Sequence, residues 1–462
     1  MTNSTRRNFI TTTLFSITAL KLNISFSATL STTDTLIKSV VNKAINVNLN
    51  PNNLKVFNSK ITSTQEDQTI EFQSEISKLT DNTIYIVSPG TYKIKNIIFP
   101  NLKNVVLFFD KVTFKLTENT SPLDHEMIRF NSLVNSVVYN LKTDGNRNNA
   151  IDTSLDDYRW YGRCLNWRLG DNSQNVYFLN TTMINSLYCG SQWGKNINNV
   201  IMDTVIYDNI GEHVFYISGN GGGNTKNITF TNIMGGSLGI NPRNRIKKHE
   251  TFFLKSSQTI GPNDNFTIEN AIFSPTKRAS YANIIICTGD LTTLSLKNIT
   301  LNGNVDAVIY PYNQTSYVNM DNIIMTTDNA QTRLIYSYVK NVKIKEWRAS
   351  DIDLSKSNAV QQYMQIFTEI KNSSFNKIYF TELKQQTFST SLHKTTFTKV
   401  KFKNSIQGNN INSQINFDNC DYNINEALKK RVTFNNEQHY KFPKNVLIQN
   451  VGNNLVTIIP QH

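Results

Sequence analysis

Five titratable side chains between residues 144 and 213 can perform acid–base chemistry. They are Asp144, Asp157, Asp208, Glu212 and His213. Two carboxylates about 5–5.5 Å apart suit retaining hydrolysis of a glycosidic bond, and about 6.5–9.5 Å suits the inverting reaction. The adjacent carboxylate and imidazole of Glu212 and His213 can instead serve as acid and base. The competing interpretation is that His213 is a buried, hydrogen-bonded core histidine.

Basic and aromatic side chains near these groups are candidates for substrate binding. They are Arg159, Trp160, Arg163, Trp193, Tyr216, Arg243, Arg245 and Lys248. An Arg guanidinium holds a carboxylate through two parallel hydrogen bonds, and aromatic rings pack on apolar faces of sugars. Elimination from a uronic acid needs a cation for the enolate and a base for the C5 proton. Basic residues of the set, with His213 and Tyr216, could supply both. The alternatives are a loop packed by its own aromatic rings and a solvated basic loop.

Most of these residues lie in two interruptions of a regular strand pattern. The first runs from Asp144 to about Arg168, and the second runs from Gly235 to Glu250. Insertions in a repetitive fold project from one face and commonly build the binding cleft. The four cysteines show neither CxxC spacing nor a His/Cys cluster, so we expect no metal and no cofactor.

The composition describes a polar, basic chain. It has 462 residues, 39% of them apolar and 18% charged, and a net charge of +13. Such a charge suits an anionic partner such as a polysaccharide, nucleic acid or membrane surface. No stretch beyond the N-terminus has the ~18 consecutive apolar residues of a spanning helix, so a polytopic membrane protein is excluded.

The strands follow a loose repeat marked by Asn before Val or Ile. The repeat Asn stands at 175, 199 and 227, and again at 298, 322 and 341. A unit of two or three short strands cannot bury its apolar face alone, but stacked copies can. The pattern predicts an all-β parallel solenoid in which stacked Asn side chains bond to one another at the turns. Cys189 and His213 each follow a repeat Asn by 14 residues, so we expect them to stack on adjacent rungs. A Cys164–Cys189 disulfide and a buried Cys stack are both compatible with this spacing.

The pattern also sets domain boundaries. Residues 66–79 carry Phe72, Ile76 and Leu79 on one face, which predicts an amphipathic helix capping the N-terminal end of the solenoid. We place the solenoid at 66–421 and a C-terminal cap at 422–462. Residues 29–65 are interpreted as a polar, poorly ordered leader.

The N-terminus reads as an export signal. Ser4-Thr5-Arg6-Arg7-Asn8-Phe9-Ile10 precedes a short apolar run and small residues near position 28. The segment resembles the bacterial twin-arginine signal, which implies a signal peptide at 1–28 and a periplasmic or extracellular protein. Nucleic acid is then excluded as a partner, and no stable membrane insertion is expected after removal of the signal.

Three motifs resemble the pectin-lyase-like superfamily. They are the helix with Asp67-Gln68-Thr69, the strand 84–92 ending in Ser-Pro-Gly-Thr-Tyr, and the turn Asp144-Gly145-Asn146. The resemblance implies a right-handed parallel β-helix with an N-terminal capping helix. The paired-Asp and Gly-His-Gly motifs of polygalacturonases and the calcium-binding Asp clusters of pectate lyases are not found. We therefore expect a protein that cleaves an acidic polysaccharide by hydrolysis or β-elimination. The alternative is a non-catalytic glycan-binding or structural β-helix.

Overall fold

The structure is a computed structural model, and part of the chain is described. The described residues are 31–118, 126–147, 165–217, 225–238, 250–256, 264–275, 282–288, 293–303, 307–311, 315–327, 333–336, 343–353, 363–365, 369–371, 374–379, 391–393, 395–398, 415–418, 440–441, 446–450 and 456–460. The signal motif at 4–10 lies outside them and stays a prediction.

The chain forms two units, Met1–Lys43 and Ala44–His462. In the first unit, helix α1 spans Ser31–Lys43, with Asp34 in its first turn and Lys43 in its last, as the helix dipole favours. The second unit begins with a 3₁₀ turn at Pro51–Asn53 and contains helix α2 at Thr69–Ile76. Among the described residues, neither α-helix has the length and apolar content to cross a membrane.

The strands of the second unit fall into two groups. The N-terminal strands are β1 Lys55–Asn58, β2 Thr83–Ile86, β3 Gly90–Ile94, β4 Ile97–Lys103, β5 Val106–Phe108, β6 Val112–Leu116, β7 Glu126–Tyr139, β8 Lys142–Asp144, β9 Leu165–Leu169, β10 Gln174–Ile184, β11 Ser191–Trp193, β12 Asn198–Asp208, β13 Phe215–Ile217, β14 Lys226–Gly235 and β15 Glu250–Ser256. The C-terminal strands are β16 Asp264–Phe273, β17 Ala282–Thr288, β18 Thr293–Gly303, β19 Ala307–Pro311, β20 Thr315–Thr327, β21 Arg333–Tyr336, β22 Lys343–Asp353, β23 Tyr363–Gln365, β24 Glu369–Lys371, β25 Ser374–Tyr379, β26 Ser391–His393, β27 Thr395–Thr398, β28 Ile415–Asp418, β29 Tyr440–Lys441, β30 Val446–Asn450 and β31 Val456–Pro460.

The strands build a right-handed parallel β-helix, which confirms the expected fold. From β10 to β23 each rung has a long strand followed by a short one. Long strands pair in parallel with long strands of neighbouring rungs, as β10 does with β12, and short strands pair with short ones, as β11 does with β13. Equivalent residues therefore stack at the strand spacing of about 4.8 Å.

Left-handed residues break each long strand at fixed places. Ladder 1 comprises Asn82, Asn104, Asn135, Asn175, Asn199, Asn227 and Asn265, and ladder 2 comprises Asn140, Asn180, Thr204, Asn232, Asn270, Asn298 and Asn322, all with φ between 50° and 63°. Asn tolerates this region better than other residues with a side chain. Nδ2 of Asn199 donates to Oδ1 of Asn175 at 2.8 Å, and Asn322 donates to Asn298 at 2.9 Å. The predicted Asn stacking is confirmed.

The sequence predicted one series of repeat asparagines, but the structure divides them between the two ladders. Asn175, Asn199 and Asn227 belong to ladder 1, whereas Asn298 and Asn322 belong to ladder 2. The two ladders lie five positions apart on one strand, as Asn175 and Asn180 show, and both place Asn before an aliphatic residue. The sequence pattern therefore could not separate them.

The interior of the solenoid is filled by stacked side chains. Inward residues of long strands, such as Val176 and Phe178, are fully buried. The rings of Trp167 and Phe178 lie 5.0 Å apart, and those of Phe215 and Phe230 lie 4.8 Å apart. Such contacts add to the transfer of apolar area from water that stabilises the fold.

Helix α2 covers the N-terminal end of this core, as predicted. Phe72 and Ile76 are fully buried, and Leu79 is 6% exposed. The ring of Phe72 meets Tyr92 at 5.1 Å and Phe114 at 5.6 Å. The helix thereby closes an end whose apolar side chains would otherwise face water.

The leader differs from the expectation. Residues 29–65 were expected to be poorly ordered, but they contain α1, and β1 pairs in parallel with β2. The segment 44–48 is fixed because Asn46 donates to the carbonyl oxygens of Val176 and Asn199 at 3.1 and 2.7 Å. In the proposed cap, β30 and β31 form an antiparallel pair.

Candidate functional site

The connection from a long strand to the next short strand differs in length between four successive rungs. We call this connection the third turn. It spans residues 145–164, 185–190, 209–214 and 236–249 in the rungs that start with β8, β10, β12 and β14. Both interruptions found in the sequence are thus third turns, and they enclose the two short ones. This agrees with the expectation that the insertions share one face.

The short third turns pack tightly on one another. The amide of Glu212 donates to the carbonyl oxygen of Tyr188 at 2.8 Å, and the amide of Gly190 donates to that of His213 at 2.9 Å. A Cβ at Gly211 would overlap the carbonyl oxygen of Leu187, so a residue with a side chain could not occupy this position without a shift. These contacts fix the place of Glu212 and His213.

Glu212 and His213 form a buried pair at the centre of the third turns. Oε1 of Glu212 lies 3.7 Å from Nε2 of His213, and their side chains are 9% and 1% exposed. The predicted stacking of His213 over Cys189 is confirmed by the pairing of Ser191 with Phe215, two residues further along. The exposure of His213 matches the alternative interpretation of a buried histidine. In this conformation both side chains are almost completely shielded from solvent. The disulfide with Cys164 stays untested, because Cys164 lies outside the described residues.

Asp144 and Asp208 occupy one outward column. Asp144 pairs with Ile184, which pairs with Asp208, so two rungs, or about 9.6 Å, separate the two Cα atoms. Oδ1 of Asp144 accepts hydrogen bonds from the amide of Asn146 at 2.8 Å and from Nδ2 of Asn185 at 2.9 Å. Oδ1 of Asp208 accepts from the amide of Ser237 at 2.7 Å. Each carboxylate therefore stabilises the start of an insertion.

A second outward column runs along the short strands beside the third turns. It consists of Arg129, Arg168, Gln192 and Tyr216, which pair one above another and are all half-buried. We call it the outer column. Arg129 forms an ion pair with the buried carboxylate of Glu126. The ring of Tyr216 lies 6.0 Å from that of His213, so the column and the buried pair adjoin.

Arg129 and Arg168 of this column, and the nearby Arg147, were not among the candidates chosen from the sequence. Nη1 of Arg147 donates to the carbonyl oxygen of Ser186 at 3.2 Å, which holds its side chain against a short third turn. Arg129 and Arg168 stand at alternate positions of apolar strands, a pattern that marks them as outward-facing. Only the rung register shows that they share a column with Tyr216.

Trp193 was predicted to bind substrate, and the structure corrects this. Its side chain is fully buried, stacks on Phe230 at 5.8 Å and 28°, and donates from Nε1 to Oγ of Ser191 at 2.9 Å. Trp193 points inward because it is two residues from the inward Ser191 on the same strand. It is a core residue and cannot contact a sugar on the surface.

The remaining candidates cannot be placed. Asp157, Arg159, Trp160, Arg163, Arg243, Arg245 and Lys248 all lie outside the described residues. Within the described part of the chain, no three His, Cys, Asp or Glu residues form a group that could hold a metal ion.

Comparisons with known proteins find only distant similarities to solved structures. No protein-family model and no curated protein matches the sequence. Among solved structures, a polygalacturonase from Erwinia carotovora is 13% identical with a TM-score of 0.35, covering 80% of this chain and 93% of its own. PfbA, a surface adhesin of Streptococcus pneumoniae, is 11% identical with a TM-score of 0.40, covering 88% and 99%. An exopolygalacturonase from Thermotoga maritima is 10% identical with a TM-score of 0.39, covering 84% and 96%.

Proposed function

We propose that the protein cleaves an acidic polysaccharide, with its active site at the third turns. One observation carries the proposal: both insertions are third turns and enclose the rungs that hold Glu212, His213 and Tyr216. The short third turns at 185–190 and 209–214 show that the solenoid itself does not need a long connection here. Two long connections that flank a buried carboxylate–imidazole pair therefore indicate a function. The buried pair and the half-buried outer column bring titratable and polar groups together beside the third turns.

The outer column suits a negatively charged chain. Arg168 and Tyr216 stand two rungs apart with Gln192 between them, so a saccharide lying across these rungs meets a cation, an amide and a phenol in turn. Arg147 adds a second guanidinium at the third turn. A guanidinium pairs with a carboxylate through two hydrogen bonds, which favours uronic acids over neutral sugars.

Of the two reactions, β-elimination fits the described contacts better. In this reaction a base removes the C5 proton of a uronic acid, and the electron pair forms a C4–C5 double bond. The C4–O bond breaks, and the leaving oxygen takes up a proton. We assign both proton transfers to Tyr216, whose phenol oxygen accepts the C5 proton while its hydroxyl donates a proton to the leaving oxygen. Arg168 or Arg147 neutralises the carboxylate. Glu212 and His213 are buried and act by positioning Tyr216.

Hydrolysis is the second candidate, on the strength of the column shared by Asp144 and Asp208. Their separation of about 9.6 Å at Cα is close to the upper limit for carboxyl groups of an inverting enzyme. Against this role, each carboxylate already accepts a hydrogen bond from a backbone amide of a third turn, Asp144 from Asn146 and Asp208 from Ser237. Export by the twin-arginine route, proposed from residues 4–10, would bring the enzyme to polysaccharides outside the cytoplasm.

The test is incubation of the full chain with alginate, polygalacturonate and heparin, with dextran as the neutral control. Ultraviolet absorbance follows the unsaturated product of elimination, and a reducing-end assay follows cleavage by either route. We expect both signals to rise together on one acidic polymer. Reducing ends without absorbance would support hydrolysis. Binding without any cleavage would overturn the enzyme and leave a glycan-binding protein.

A further inference from the structure

A cavity of about 400 Å³ opens on the outer face of the β-helix, beside strand β8, which leads into the first long third turn. Its polar lining includes Asp110, Lys111, Thr113, Asn140, Lys142 and Thr182. These residues come from three successive rungs. Phe114 pairs with Thr143, which places Thr113 beside Lys142, and Lys142 pairs with Thr182. The cavity is therefore formed by the regular solenoid and requires no insertion.

The charges in the cavity favour an anion that also carries hydroxyl groups. Lys111 and Lys142 are exposed, whereas Oδ1 of Asp110 accepts a hydrogen bond from Nδ2 of Asn140 at 3.0 Å. Two ammonium groups thus face one partly satisfied carboxylate. The hydroxyls of Thr113 and Thr182 and the amide of Asn140 can donate to and accept from a sugar.

The cavity also lies on a continuous path to the proposed active site. Lys142 and Asp144 are alternate residues of β8, so they face the same side about 7 Å apart. Lys115, in the rung before, pairs with Asp144 and places a third ammonium between the cavity and the third turn. A chain that fills the cavity can continue over Lys115 toward Asp144.

The size of the cavity matches a small ligand. Sites for small molecules commonly measure about 300–1,000 Å³, so this cavity is large enough for one sugar unit and too small for a folded partner. We propose that it is a second, non-catalytic binding site for a carboxylate- or sulfate-bearing sugar. That this sugar belongs to the polysaccharide cleaved at the third turns rests on the function proposed above.

The test measures binding and cleavage separately. In a double variant, Lys111→Asn and Lys142→Gln remove both ammonium groups, and Asn keeps the left-handed φ of 57° at position 111 accessible. We expect roughly tenfold weaker binding to the acidic polymer that the wild type prefers, with a smaller salt dependence. The KM on the polymer should rise, and kcat on a short oligosaccharide should not change.

Two further variants make the test specific. Lys111→Arg with Lys142→Arg keeps both charges and should retain binding. Lys78→Gln with Lys103→Gln removes two exposed lysines elsewhere and should bind like the wild type.

Each outcome is decisive. Unchanged binding in the Lys111/Lys142 double variant would overturn the second site while leaving the proposed cleavage intact. Equal competition by inorganic sulfate and by a sulfated or uronic disaccharide would overturn a sugar site in favour of a simple anion site. A wild type that binds through these lysines but cleaves nothing would support the second site and overturn the proposed enzyme.

Discussion

The ring centroid of Tyr216 lies 6.0 Å from that of His213, with the two planes inclined at 48°. His213 is buried beside the carboxylate of Glu212, whereas Tyr216 is half-buried in the outer column. A buried acid–imidazole pair thus adjoins a phenol that a substrate can reach. The arrangement separates the group that contacts substrate from the groups that hold it in place.

Replacing Tyr216 by Phe should lower kcat by about 10²–10⁴-fold, the usual contribution of one acid–base group. The ring and its packing remain, so the melting temperature should change little. Activity on the preferred polymer and thermal unfolding check the two parts. Tyr177→Phe is the matched control, because Tyr177 donates to Oδ2 of Asp203 on another face. Equal activity of Tyr216→Phe and wild type would remove Tyr216 from the mechanism.

Trp193→Ala should destabilise the protein by about 3–5 kcal/mol, the usual cost of truncating a buried aromatic residue. The substitution removes a ring that stacks on Phe230 inside the core. Chemical denaturation measures the free energy of unfolding, and Ile70→Ala at a position 82% exposed serves as control. A weaker affinity for substrate with unchanged stability would restore Trp193 as a binding residue.

Thr204→Asn should stabilise the protein by about 1–2 kcal/mol. Thr204 has a φ of 63°, which is unfavourable for a β-branched residue, and its neighbours in ladder 2 are Asn180 and Asn232. Because Thr204 has no side-chain amide oxygen to accept from Asn232, Asn232 donates instead to Oδ1 of Asp203 at 2.7 Å. Thr204→Ala keeps the backbone strain and should show no gain. Denaturation midpoints compare the three proteins, and a loss of stability in Thr204→Asn would contradict the ladder argument.

The carboxylate of Asp67 should stabilise helix α2 only in its ionised form. Partial burial raises the pKa of Asp67, but hydrogen bonds from Thr69 and the Lys95 ammonium outweigh it, so the pKa lies below its ordinary value. The stabilisation is therefore present above the pKa of the unfolded chain, about 3.9, and disappears as the pH falls through the folded-state pKa.

Asp67→Ala should accordingly lower stability at pH 7 by about 0.5–2 kcal/mol, a loss comparable to that of a helix N-cap. Asp67 precedes the N-cap Gln68 and accepts hydrogen bonds from Thr69 in the first turn. The difference between variant and wild type should shrink steadily at acidic pH. Thermal unfolding across a pH series measures this, with Glu66→Ala as the neighbouring control. A difference that does not depend on pH would assign the effect to lost packing instead of the charge.

Sequence alone was sufficient for the fold because its signals are local and periodic. Phe72 and Ile76 marked the capping helix, and the spacing of Asn175 and Asn199 predicted the register that stacks Cys189 under His213. The two ladders were merged because Asn227 of ladder 1 and Asn298 of ladder 2 both precede Ile. A helical pattern at Ser31–Lys43 was overlooked because only a few of its residues, such as Ile37 and Val40, are apolar.

The site was less predictable for a physical reason. Whether a residue of a strand points inward or outward depends on its parity relative to the neighbouring rungs, and that parity placed Trp193 in the core. Arg168 and Tyr216 are 48 positions apart in the sequence but two rungs apart in the same column. Such proximity follows from the length of each rung, which varies between 24 and 40 residues along ladder 1 from Asn135 to Asn265.

This variation in length has a consequence for how the protein can change. Ladders 1 and 2 stay five residues apart in every rung from Asn135 to Asn270, so added residues cannot enter between them without breaking amide contacts. The third turn has no such restriction. New loops grafted into the two long third turns, between Asp144 and Leu165 for example, should leave the register of the solenoid unchanged. The same scaffold could therefore acquire a different specificity by exchanging one segment, with no redesign of its core.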